Sequence, residues 1–347
     1  MAFFSEVISA NLYLSELNVA WIIATCLVAI TIMMIVVQLA ISRAVMRMLE
    51  NAPPLNAGNF SDDSRASELS FTTDDGLSLQ ACHFKQTKRP SCGLVLFCHE
   101  LGGSRWSAMS YCEGLFAAGF EVLSFDFRNH GSSDKQAGYE PLHWLTEFEL
   151  ADVRGALQLI ESRDELKDQP LGIFGVSRGG SAALAAASTS EAIACVACES
   201  AYSTRSMMSL FSQRWVSLLV PQWMAGWIPA WHVELSLTGG RLYSQFKRKC
   251  RYVHLERTLA SLKTRPVLLI SGRRDNYVRP EIATSLHESL GSESAQLWMV
   301  PKARHNGARQ ADQERYDQRL VEFFGTLSTD RNEDSTADTP QVSESVR

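Results

Sequence analysis

One serine stands between an apolar run and a run of small residues, and this junction constrains the fold most strongly. The segment LGIFGVSRGGSAALAAA, residues 171–187, contains Ser177 with Gly175 and Gly179 on either side. The residues before Ser177 favour a buried strand, and those after it favour a helix. A sharp strand-to-helix turn strains the serine backbone and leaves no room for side chains beside it, so glycine is expected there. The pattern indicates either an exposed nucleophile at the start of a helix or a small residue that fills a tight turn.

The chain around this junction alternates between strand and helix patterns. Two short runs around the Asp-Asp-Gly turn at residues 74–76 predict a hairpin. Continuous apolar runs, separated by stretches with helical spacing, are typical of parallel strands covered on both faces; they are GLVLFCH, EVLSFDF, PLGIFGV, AIACVACE and PVLLISG. With 347 residues, of which 46% are hydrophobic, the chain can bury a large core. The sequence therefore predicts an α/β fold with a mostly parallel central sheet and helices on both faces.

Two further polar residues follow predicted strands and match the chemistry that a serine nucleophile needs. A serine hydroxyl reacts only when a base takes its proton. Asp275 comes just after PVLLISG, and His305 comes just after QLWMV. The order Ser177, Asp275, His305 is that of a nucleophile-elbow triad, so these three are the predicted catalytic residues. Glu199, at the end of another strand, is the alternative third member, and Asp275 and His305 also have simpler interpretations as a turn residue and a surface residue.

The chain resembles the α/β-hydrolase superfamily from about Glu68 to Gly325, and is similar to its membrane-anchored serine hydrolases. The motifs that carry the resemblance are FCHELGGS, DFRNHGSSD, GVSRGG, GRRDNYV and ARHNG. It implies an acyl-enzyme mechanism without metal or cofactor, and an oxyanion hole formed by the backbone N–H groups of Leu101 and Arg178. Glu100 departs from the family pattern, which has glycine there. An ionised carboxylate facing the oxyanion would oppose the reaction, whereas a paired or solvent-facing one would not.

Other polar residues in these motifs have a structural interpretation. His99 is expected to bond to loop backbone rather than act as a base. The residues of DFRNHGSSD, which include Asp126, Arg128, His130 and Gly131, are expected to shape the loop after a strand.

A long apolar segment precedes the α/β region. Val19–Ile41 holds 23 residues without a charge, which as a helix span about 35 Å, enough for a bilayer core. Arg43 and Arg47 follow the segment, so the positive-inside rule places the rest of the chain in the cytoplasm. A buried core helix is the alternative. The predicted organisation is an N-terminal segment at 1–43 with a transmembrane helix at about 19–41, a linker at 44–66, a hydrolase domain at 67–326 and a disordered acidic tail at 327–347.

The alternation is interrupted at residues 201–262, which we interpret as a helical lid inserted over the carboxyl edge of the sheet. Trp215, Trp223 and Trp227 lie in this insertion and are predicted to bind substrate. They have two alternatives, contact with the membrane interface or simple packing of the lid. The expected partners are the lipid bilayer and a small acyl substrate, while the net charge of −5 argues against nucleic-acid binding. The sequence does not predict an oligomeric state.

The predicted function is therefore serine hydrolysis of an acyl ester or thioester, most simply an apolar or lipid-like one. Two alternatives remain at this stage. One is a catalytically impaired, membrane-tethered binding or scaffold protein, suggested by Glu100. The other is a peptidase or acyltransferase that uses the same triad.

Overall fold

The computed structural model describes residues 2–50, 58, 60–219 and 230–327. Trp223, Trp227, most of the predicted tail and part of the predicted linker lie outside the described residues. The chain divides into two compact units, one containing residues 1–51 and 212–247 and the other containing residues 52–211 and 248–347. The predicted lid and domain boundaries stay predictions.

The second unit is built on one mixed sheet. Its strands are β1 (Ala66–Thr72), β2 (Ser78–Phe84), β3 (Leu94–Cys98), β4 (Glu121–Phe125), β5 (Leu171–Val176), β6 (Ile193–Glu199), β7 (Val267–Gly272) and β8 (Ala295–Val300). Their order is β1-β2-β4-β3-β5-β6-β7-β8. β2 runs antiparallel to both β1 and β4, which confirms the predicted hairpin, and every pairing from β4 to β8 is parallel.

Helices cover both faces of this sheet. The α-helices of the described residues are α1 (Ala2–Glu50), α2 (Ala108–Ala118), α3 (Glu147–Ser162), α4 (Arg178–Ala187), α5 (Thr204–Leu219), α6 (Ala230–Arg248), α7 (Leu255–Thr258), α8 (Pro280–Leu290), α9 (Ala308–Ala311) and α10 (Gln313–Phe324). One buried cluster joins the sheet to α3, α4 and α8, and a second joins its other face to α2 and α10. The predicted α/β-hydrolase architecture is confirmed.

Alternation along β3 shows why its residues are apolar throughout. Leu94 and Leu96 belong to the first cluster, whereas Val95 and Phe97 belong to the second. Successive side chains of a strand point to opposite faces, so a strand with helices on both sides needs apolar residues at every position. The strand ends therefore become the natural place for polar groups.

The first unit contains the apolar N-terminal helix. Among the described residues, Val19–Arg47 is long and apolar enough to cross a membrane. The helix α1 continues to Glu50, past the boundary predicted at residue 43. Residues 44–50 read AVMRMLE and contain neither glycine nor proline, so their propensity extends the helix into the predicted linker.

Candidate active site

The turn between β5 and α4 has the geometry of a nucleophile elbow. Ser177 adopts φ 54° and ψ −119°, a strained backbone conformation for a residue with a side chain. A Cβ at Gly179 would lie 2.2 Å from the Cys98 carbonyl oxygen, and one at Gly175 would lie 2.3 Å from the Gly179 carbonyl oxygen. Both positions therefore require glycine, and the serine is presented at the N-terminus of α4.

The three predicted catalytic residues lie together at the carboxyl ends of β5, β7 and β8. The Ser177 Oγ is 3.1 Å from His305 Nε2, and His305 Nδ1 is 2.8 Å from Asp275 Oδ2. Ser177 is 1% exposed, the Asp275 side chain is fully buried, and the His305 side chain retains 11% exposure. This arrangement can move a proton from the hydroxyl to the imidazole while the carboxylate holds the ring.

Asp275 is fixed by donors on both of its oxygens. The backbone N–H groups of Tyr277 and Val278 each donate to Oδ1 over 2.8 Å. The Ser200 hydroxyl donates to Oδ2 over 3.3 Å, beside the bond from His305. The carboxylate is thereby oriented toward the imidazole before any substrate binds.

Glu199 has a different role from the one considered in the sequence. Its Oε1 accepts from the Ala308 N–H at 2.8 Å, and its Oε2 accepts from the Tyr316 hydroxyl at 2.7 Å. Burial raises the pKa of this carboxyl. Glu199 thus ties α9 and α10, which follow His305 in the chain, to the end of β6. Asp275, rather than Glu199, bonds to His305.

The two candidate oxyanion donors lie on adjoining segments. The close approach of Gly179 to the carbonyl oxygens of Cys98 and His99 packs the start of α4 against the segment that leads to Leu101. Among the described residues, no acceptor bonds to the backbone N–H of Leu101 or Arg178. The side chain of Arg178 is occupied elsewhere, since its Nη1 donates to the Leu142 carbonyl at 2.9 Å.

Glu100 points inward and is 5% exposed. The Tyr111 hydroxyl lies 3.4 Å from its Oε1, and the Ser107 hydroxyl lies 3.5 Å from its Oε2. Burial raises the pKa of Glu100 to about 7, with a smaller contribution from the charge of Glu199. The side chain is therefore mainly neutral below pH 7, and a neutral carboxyl does not repel an oxyanion.

The neighbouring histidine and aspartate are structural, as the sequence predicted. His99 Nδ1 donates to the Glu100 carbonyl at 2.7 Å, and its Nε2 accepts from the Phe127 N–H at 3.1 Å. Burial lowers the pKa of His99 to about 3, which keeps the ring neutral. Asp126 accepts from the Ser132 N–H at 3.0 Å, and a Cβ at Gly131 would collide with its carboxylate.

Two residues near the triad were not predicted from the sequence. The Tyr277 ring lies edge-on to the His305 ring with centroids 5.0 Å apart, and Ser200 supports Asp275 from a backbone with φ 53°. The position of Ser200 at the end of β6 was the available signal.

The predicted substrate contacts of the three tryptophans stay predictions. Trp215 lies in α5, but its side chain is outside the described residues. Trp223 and Trp227 lie outside the described residues entirely.

Comparison with known proteins matches two family models to this chain. The model of the alpha/beta hydrolase fold matches residues 93–235, and that of the TAP-like protein matches residues 245–336. Uncharacterized protein YfhR of Escherichia coli O157:H7 is 24% identical over 274 residues, 76% of this chain and 82% of that protein. An uncharacterized 31.7 kDa protein of Escherichia coli is 26% identical over 110 residues, and the match spans 31% of this chain and only 37% of that protein's length.

The solved structures show the same architecture. The Pyrococcus furiosus esterase Pf2001 superposes with a TM-score of 0.57 at 23% identity, covering 80% of this chain and 97% of that one. That likeness concerns the fold. Together with the matched models, it shows that this chain belongs to the α/β-hydrolase superfamily.

Proposed function

We propose that the protein is a serine hydrolase that cleaves an acyl ester or thioester. The observation that carries the proposal is the continuous hydrogen-bonded chain from Ser177 through His305 to Asp275. It forms at a strained elbow, where the backbone cost is typical of a functional site.

In this mechanism His305 Nε2 takes the proton of Ser177 as Oγ attacks the acyl carbonyl carbon. Asp275 offsets the charge of the imidazolium and holds its ring. The backbone N–H groups of Leu101 and Arg178 donate to the oxyanion of the tetrahedral intermediate. His305 then protonates the leaving group. Water, deprotonated by the same nitrogen, cleaves the acyl-enzyme and restores the serine.

An apolar acyl substrate is the class we favour. The Tyr277 ring lies 5.0 Å from the His305 ring, and the Phe211 ring lies 5.9 Å from that of Tyr277. One similar structure is named an esterase. Trp215, Trp223 and Trp227 remain proposed substrate contacts on the basis of the sequence.

We place the enzyme at a membrane. A helix such as Val19–Arg47 near an N-terminus is either a membrane span or a signal sequence. The apolar run of Val19–Ile41 holds 23 residues, whereas the apolar region of a signal peptide holds about 7–15. Arg43 and Arg47 after the span favour a cytoplasmic catalytic domain.

A binding protein with an impaired active site is the second candidate, and buried Glu100 is the observation that favours it. Ionised, this side chain would weaken the neighbouring oxyanion site. A peptidase or acyltransferase would use the same triad with another leaving group or acceptor, so it becomes an outcome of the test.

The test is hydrolysis of p-nitrophenyl esters of increasing acyl length by the detergent-solubilised full chain. We expect turnover that rises with acyl length and disappears in Ser177→Ala and His305→Ala. Ser188→Ala is the matched control, because the Ser188 hydroxyl bonds only to the helix backbone at the far end of α4. Turnover that survives in Ser177→Ala would contradict the proposal. Turnover confined to aminoacyl or peptide substrates would contradict the proposal of an apolar acyl ester or thioester.

A further inference from the structure

Helix α6 presents a large apolar face to solvent. Trp231 is 61% exposed, Leu235 49%, Leu242 54% and Phe246 85%. Their spacing of four, seven and four residues keeps them on one side of the helix. Gly240, by contrast, lies on the opposite, buried side. An apolar stripe of this size on a helix indicates a surface that contacts something other than water.

The buried side of α6 packs against α1 within the same compact unit. Gln38 Nε2 donates to the Ser236 Oγ at 2.7 Å, and the Ser244 hydroxyl donates to Glu50 Oε1 at 2.7 Å. A Cβ at Gly240 would lie 2.7 Å from a side-chain atom of α1, so the two helices approach closely. Since later residues of α6 meet later residues of α1, the helices run parallel.

The parallel packing fixes the level of each α6 residue relative to α1. The Ser236–Gln38 and Ser244–Glu50 contacts differ by 198 and 194 in residue number, so Trp231 lies level with residues 33–37 of α1 and Phe246 lies level with residue 48 or beyond. The proposed span ends at Ile41, four to eight residues later, so Trp231 lies about 6–12 Å inside that boundary.

Charged and aromatic groups mark the polar side of the same boundary. The Arg43 guanidinium lies 5.3 Å from the centre of the Tyr243 ring, and such pairs are typical of the head-group layer. Arg47 is exposed on α1, and Lys247, exposed near the end of α6, lies 3.8 Å from Glu50 Oε2. The charge of Arg47 favours anionic lipids.

We propose that the N-terminal part of the exposed α6 face, at Trp231 and Leu235, inserts into the bilayer that α1 crosses, while the Phe246 end lies toward the head groups. This inference rests on the proposed membrane span. Glu234 lies level with residues 36–40, close to the end of the span, where a charged side chain can reach the head groups. In the sequence, residues 215–231 contain no charged residue, which also favours lipid as the occupant.

The test measures how deep single positions of the chain lie in the bilayer. The full chain is reconstituted in phosphatidylcholine–phosphatidylglycerol vesicles. The fluorescent amino acid dansylalanine replaces Trp231 or Phe246, and a separate protein carries it at Met33 as a reference. Lipids with a nitroxide at the head group, or at a shallow or deep acyl carbon, quench the fluorophore at their own depth.

We expect the fluorophore at position 231 to lose most of its emission to the shallow nitroxide, as at position 33. At position 246 only the head-group nitroxide should quench. Quenching at 33 without quenching at 231 would overturn the α6 proposal. Absence of quenching at 33 would overturn the span and the α6 proposal together. Self-quenching at position 231 that grows with the protein-to-lipid ratio would show that a second copy of the chain, rather than lipid, covers the exposed face of α6. That result would also overturn the α6 proposal. Ester hydrolysis in detergent tests the catalytic proposal independently of all these outcomes.

Discussion

The buried carboxyl of Glu100 predicts a stability difference that depends on pH. Burial raises its pKa from 4.5 to about 7, so the folded protein keeps a proton that the unfolded chain has released. Stability is therefore undiminished below pH 4.5, falls as the pH rises from 4.5 to 7, and is constant above pH 7. One pKa unit corresponds to about 1.4 kcal/mol, so the full cost is about 3 kcal/mol, most of which appears between pH 5 and pH 8.

Glu100→Gln removes this titration and keeps the shape of the side chain. We expect the free energy of unfolding of the variant, relative to wild type, to increase by about 2–3 kcal/mol between pH 5 and pH 8. Urea unfolding in detergent micelles, followed by tryptophan fluorescence, measures it at both pH values. The control is Glu288→Gln, because Glu288 is exposed on α8. An equal difference for Glu100→Gln at both pH values would refute the reasoning.

The same titration bears on the proposed oxyanion site. Ionised Glu100 adds negative charge beside Leu101, which opposes the developing oxyanion. The ratio of kcat/KM between Glu100→Gln and wild type should therefore be constant below pH 7 and rise above it. Taking the ratio removes any pH dependence that both proteins share. A ratio that does not change with pH would show that the charge of Glu100 does not affect kcat/KM.

Three further outcomes follow from single contacts. Asp275→Asn should lower kcat about 10⁴-fold, because an amide no longer holds the productive imidazole tautomer; a wild-type kcat would exclude Asp275 from the triad. Tyr316→Phe removes one donor from buried Glu199 and should lower the free energy of unfolding by about 1–3 kcal/mol; an unchanged urea midpoint would contradict this role. A reporter fused after Arg347 should be protected from protease added outside intact cells, and its cleavage would reverse the proposed topology.

The triad residues could be predicted from sequence because parallel strands place their carboxyl ends at one edge. Ser177, Asp275 and His305 each follow an apolar run, so local patterns bring them to the same edge. Ser200 follows the same rule, but its contact with Asp275 depends on a positive φ that no local pattern signals.

Contacts between distant segments were not predictable in the same way. The role of Glu199 depends on Ala308 and Tyr316, more than a hundred residues later, and local periodicity carries no information about such pairs. The packing of α6 on α1 likewise joins residues far apart in the chain. The continuation of α1 to Glu50 was not predicted, because the charge at Arg43 ends the apolar run although helix propensity continues.

Covalent labelling of the serine hydroxyl tests the central claim most directly. The full chain in detergent is treated with a fluorophosphonate, digested, and analysed by peptide mass spectrometry. The account predicts a single phosphonyl adduct on Ser177, formed at a rate that drops sharply in His305→Ala and absent in Ser177→Ala. An unmodified Ser177 in the folded wild-type protein, or an adduct that persists in Ser177→Ala, would contradict it.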